Sequence, residues 1–83
     1  MTNAVAAEPG LAPVLERFPQ YRGAIRATFL ADESFRSICE DYALARETLA
    51  RFEALPDADR RPEIPDFRAL IAELEIEIAR LLS

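Results

Sequence analysis

The sequence predicts an all-α protein: an antiparallel helical hairpin, coiled-coil-like in its seams, with an additional N-terminal helical segment. Three observations carry that prediction. Apolar residues recur at Phe35, Ile38, Tyr42, Ala45, Leu49 and Phe52, in steps of 3, 4, 3, 4 and 3. A second seam runs Phe67, Ile71, Leu74, Ile78 and Leu81, in steps of 4, 3, 4 and 3. Both are helical periods, and the steps of two that a strand requires are absent from them. Between the seams, Leu55–Pro65 holds three prolines among charged residues and reads as a loop. The helices expected over 33–54 and 65–82 are roughly 33 and 27 Å long at about 1.5 Å per residue. They match closely enough to lie side by side.

The chain opens with a small, Ala-rich stretch closed by Glu8-Pro9-Gly10, read as a flexible tail over 1–10. One helical domain is expected over 11–83. Val14, Phe18, Tyr21, Ile25 and Phe29 follow at helical spacing. Pro13 suits a first turn, whereas Pro19 would remove an interior hydrogen bond and crowd the preceding turn. Helix is therefore expected over about 13–30 with a break near Pro19, the second piece restarting on that proline. Asp32 is placed to cap the long helix, and Glu33 adds to its first turn. Glu47 and Arg51 stand four apart in the favourable order, a pair worth about 0.3 kcal/mol. Pro65 and Asp66 mark the start of the last helix. That helix has more apolar surface than one neighbour would cover: Leu70 and Leu82 widen its seam, and Ile76 lies off it.

Composition narrows the function classes. The chain has 83 residues, 51% of them hydrophobic and 30% charged, which suits one small globular domain. A chain this short buries a limited share of its surface, and such chains often associate. The net charge is −5, and all ten cationic side chains are arginine. An acidic balance argues against general nucleic-acid binding and against docking on anionic membranes. A local exception is the run with Arg17, Arg22 and Arg26, which against Glu8 and Glu16 gives residues 1–31 a charge of +1. No window approaches the ~18 apolar residues of a membrane span, and the first residues lack the pattern of a signal peptide. A cytoplasmic location is expected, which the single cysteine fits.

From Phe18-Pro-Gln-Tyr-Arg22, through Ile25, to Asp32-Glu-Ser-Phe35, Ile38 and Tyr42, the chain resembles the YdcH-like family of small bacterial proteins. The resemblance spans about residues 18–82. It implies a helical hairpin, oligomeric, with no established biochemical activity, and it brings no catalytic residue with it. Phe18, Pro19, Tyr21, Asp32 and Phe35 match the pattern as structural positions.

Candidate chemistry is sparse. Cys39 is the lone strong nucleophile, and the chain has no histidine to activate it. Glycine stands only at positions 10 and 23, so no phosphate-cradling loop is present. Histidine-containing zinc and di-metal motifs are excluded. No catalytic, cofactor or metal residue is assigned, and no enzyme activity is expected. The function expected is a non-enzymatic helical interaction module that forms homo-oligomers and binds a protein partner. Tyr21, Ile25, Phe29, Tyr42, Leu70, Ile76 and Leu82 are its candidate interface residues. The alternative is a small accessory subunit of a larger enzyme or membrane complex, docking through residues 11–30.

Overall fold

A computed structural model describes residues 10–83, which contain four α-helices and no strand. Helix α1 covers Leu11–Arg17. Its third residue is Pro13, where the missing amide would have had no partner within the helix. The helix ends because a proline follows. Phe18 donates its amide to the Val14 carbonyl at 2.9 Å. Its backbone then leaves helical geometry, at φ −125° and ψ 62°, since the ring of Pro19 disfavours a helical residue before it. A 3-10 turn over Pro19–Tyr21 leads directly into α2, Arg22–Ala31.

Asp32 is the single residue between α2 and α3, and it serves both. Its amide donates to the Thr28 carbonyl at 2.8 Å, closing α2. Its carboxylate accepts from the amides of Ser34 at 2.9 Å and Phe35 at 3.2 Å, opening α3. With no slack at this joint, α2 has to fold back onto the first half of α3.

Helix α3, Glu33–Glu53, is the longest element, and the other three helices pack on it. Its buried residues are Phe35, Cys39, Tyr42 and Ala45. The expected seam had Ile38 where the structure buries Cys39, and Ile38 is only half-buried. A heptad seam anticipates one neighbour, whereas α3 has neighbours on two flanks. Helix α4, Glu63–Leu82, lies along one flank. Phe52 packs on Phe67 with ring centroids 5.7 Å apart, Glu53 accepts from Arg68 at 2.8 Å, and Tyr42 bonds Glu75 at 2.7 Å. Partner numbers rise on α4 as they fall on α3, so α4 runs back along it.

The core sits at one end of the molecule, where all four helices meet. Leu11, Val14 and Phe18 enter from α1 and the residue after it, Ile25 and Phe29 from α2, Phe35, Cys39 and Tyr42 from α3, and Ile78 from α4. Residues 11–30 thus spend most of their large apolar side chains on the chain's own core, Tyr21 and Leu30 being exposed. At the opposite end α3 and α4 have only each other, with Ile64 as the buried residue there.

Five sequence expectations are corrected. Helix α4 begins at Glu63, two residues before Pro65; the proline is its third residue and again forfeits no intrahelical bond. The connection also holds a 3-10 turn at Ala58–Arg60, pinned by Arg61 to Asp57 at 3.2 Å. Glu47 and Arg51 form no ion pair, their exposed side chains gaining too little to hold one geometry. Leu81 is 45% exposed, and Leu82 packs against the core in its place. Leu82 follows the fully buried Ile78 by four residues and lies about 40° from it around the helix, whereas Leu81 lies about 60° away on the other flank. The expected tail falls on residues 1–9, outside the described residues, but Gly10 belongs to the fold. It is buried, at φ +138°, with its backbone against Cys39 and Glu40 of α3.

Candidate interaction surface

The densest polar cluster lies where α1, α3 and α4 meet, around an open recess of about 590 Å³. The Tyr42 hydroxyl donates to Glu75 at 2.7 Å, and Arg17 pairs with the same carboxylate at 3.2 Å. Arg46 donates to the Pro13 carbonyl at 3.2 Å, lies 3.6 Å from the Glu16 carboxylate and stacks 5.5 Å over the Tyr42 ring. A tyrosine, a carboxylate and two arginines could serve acid–base chemistry only if one of them were free to exchange protons. Here each has a structural partner. Burial, followed by the bond to Glu75, pushes the Tyr42 phenol up to about 12, so it remains a donor. The cluster bolts α1 to both long helices.

Cys39 is fully buried and unpaired. Burial, then the nearby Glu40 charge, pushes its thiol from 9.0 to about 12, leaving no thiolate to act as nucleophile. Both raised groups have the same consequence for stability. In the folded chain they keep their protons to about pH 12, whereas in the unfolded chain Cys39 ionises from 9.0 and Tyr42 from 10.0. The unfolded state therefore binds fewer protons across this window, and stability falls as pH rises through it. Urea midpoints should be level up to about pH 9 and decline above it. In Cys39→Ala the decline should begin about one unit later. A level midpoint to pH 12 would contradict this account.

No group of three or more His, Cys, Asp or Glu among the described residues could hold a metal ion. None of the described helices is long and apolar enough to cross a membrane.

The candidate interface residues separate into two sets. Ile25, Phe29 and Tyr42 are at most 1% exposed and belong to the core, which corrects their reading as contact residues. A side chain consumed by the chain's own packing offers nothing to a partner. Leu82 is half-buried against the same core. Tyr21, Leu70 and Ile76 are 38%, 41% and 60% exposed. Ile76 comes two residues after Leu74, about 200° around the helix, and so points away from α3.

Leu70 borders an apolar groove. Two packed helices leave a groove on each side of their contact. α1 occupies part of the side of Tyr42 and Arg46. The other side is open and holds a cavity of about 330 Å³. Asp41, Leu44, Ala45 and Thr48 line it from α3, and Phe67, Leu70 and Leu74 from α4. Leu44 is 59% exposed and also borders a second recess, of about 410 Å³, beside Gly10, Pro13 and Ala43. The heptad reading missed Leu44 because it falls opposite the seam. The signal available was a leucine where an outer face should be polar. Leu30 on α2, 74% exposed, was missed for the same reason.

The arginine strip is reduced by folding. Arg17 is committed to Glu75 and stacks 4.9 Å over Phe18. Arg22 and Arg26 stay exposed, with no ion pair among the described residues. No family model, curated protein or solved structure matches this chain.

Proposed function

We propose that the protein is a non-enzymatic helical interaction module, an antiparallel α3–α4 hairpin with one groove partly occupied by α1 and the other open to a helix from another chain. The open groove carries this reading. Leu44 and Leu70 stand 59% and 41% exposed around it, while the polar cluster on the opposite side is internally satisfied. An amphipathic helix laid in an apolar groove is a recurrent recognition mode that needs no loop chemistry. The first partner is a second copy, as a short chain with few internal staples favours. The hairpin reading also agrees with the resemblance to YdcH-like proteins at Phe18–Tyr42. An accessory-subunit role through residues 11–30 has less support, because that segment directs Leu11, Val14, Phe18, Ile25 and Phe29 inward.

Sedimentation equilibrium over a concentration series tests the reading. The unmodified chain should self-associate, and Leu44→Glu/Leu70→Glu should weaken that by about a hundredfold, since burying a leucine contributes about 1.5–3 kcal/mol. A folded chain that remains monomeric at every concentration would overturn it.

A further inference from the structure

Leu44 has an unusual setting. Its four helical neighbours on α3, three and four residues away on each side, are Glu40, Asp41, Glu47 and Thr48. None of the three acids has an ion-pair partner among the described residues. An exposed apolar knob thus has Asp41 on its groove side and Glu40 and Glu47 on its other side, none of them ion-paired among the described residues. Its complement lies elsewhere on the same chain. Leu30 is the most exposed large apolar residue described, at 74%, and Arg26 and Arg22 stand four and eight residues before it on one side of α2. Both arginines lack ion-pair partners among the described residues. Between them, Gly23 has nothing within 4 Å of where a Cβ would stand, so this face of α2 can be approached closely.

We infer that the open groove is filled by α2 of a second copy, with Leu30 set against Leu44 and Leu70, and Arg22 and Arg26 against Glu40, Asp41 and Glu47. This rests on the self-association proposed above and adds which surfaces meet. Groove-to-groove pairing would bring Asp41 of both copies together, with Glu40 and Glu47 close behind, and like charges across an interface disfavour it. Pairing of α2 with the groove satisfies both charge sets. Such a contact is heterologous: each copy keeps one free groove and one free α2, so association continues head to tail instead of closing as a two-fold dimer.

The test uses two full-length variants, one with the groove disabled (Leu44→Glu/Leu70→Glu) and one with α2 disabled (Arg22→Glu/Arg26→Glu/Leu30→Glu). All five positions are exposed, and helical circular dichroism with a cooperative thermal transition checks that each variant folds. Each variant alone should be monomeric in analytical ultracentrifugation. Their equimolar mixture should form a 1:1 dimer and nothing larger, because only one intact groove and one intact α2 meet. The unmodified chain should show species beyond the dimer as concentration rises. In a charge-only series, Arg22→Glu/Arg26→Glu should weaken self-association about tenfold or more, and adding Glu40→Arg/Glu47→Arg should restore it. If the α2 variant self-associates as the unmodified chain does, while the groove variant does not, the groove reading stands and the role of α2 is overturned. If the two variants fail to combine, the inference is likewise overturned.

Discussion

Phe29→Ala should lower the melting temperature by some 15–30 °C. Phe29 is 1% exposed, in the region where α1, α2 and α3 converge. Removing a fully buried phenylalanine costs about 3–5 kcal/mol, the sum of lost burial and the cavity left behind. The cavity cannot collapse easily, because Asp32 joins α2 to α3 without slack. Phe29 also anchors Arg36, whose guanidinium lies 5.7 Å from the ring and donates to the Phe29 carbonyl at 3.3 Å. A chain of this length is expected to have roughly 4–12 kcal/mol of stability in total, so the loss is a large share of it. For a domain of this size each kcal/mol moves the midpoint by about 4–8 °C. Thermal unfolding followed by circular dichroism at 222 nm measures the shift. A fall of only a few degrees would mean that α2 is not part of the cooperative core.

Gly10→Ala and Gly23→Ala should move stability in opposite directions. A Cβ at Gly10 would lie 2.8 Å from the Glu40 amide nitrogen and 2.9 Å from the Cys39 carbonyl carbon, both backbone atoms of α3 that cannot swing aside. The residue also sits at φ +138°, which an alanine adopts only under strain. Overpacking of this kind costs about 1–3 kcal/mol and the backbone strain about 1–2 more. The loss is confined to the seat of α1, so the polar cluster should loosen with it: Arg46 holds the Pro13 carbonyl and Arg17 holds Glu75. Gly23 has helical geometry and open space around it, so alanine there should stabilise by up to ~1 kcal/mol through helix propensity. Urea unfolding at micromolar concentration, where self-association is diluted out, compares the two. Equal effects at both positions would show that α1 does not approach α3 as closely as the structure has it.

Much of the local architecture was legible because it is set by neighbouring residues. The break before Pro19 follows from the restriction a proline imposes on Phe18, and the start of α3 from the carboxylate of Asp32. The start of α4 was misplaced by two residues because a proline is tolerated anywhere in the first turn. The interaction surface was much less legible. Leu70 was found because it widened a seam. Leu44 and Leu30 were not, since a periodic pattern weighs each residue against its own helix and not against what packs beside it. Ile25, Phe29 and Tyr42 read as contact residues in the sequence for the converse reason. Apolar residues at helical spacing are the same pattern whether they face the chain's own core or another protein.

The sequence by itself determined that this protein is all-α, that its helices break before Pro19 and at Asp32, and that chemistry requiring histidine has no residue to work with. Those properties depend on short-range sterics, capping and composition. Only the tertiary structure decided that Cys39 replaces Ile38 in the core, that Tyr42 and Glu75 lock together, and that α1 fastens to one side of the α3–α4 pair while the groove beside Leu44 has no other described helix on it. These depend on how many neighbours each helix acquires and on which flank, and residues distant in sequence supply those neighbours.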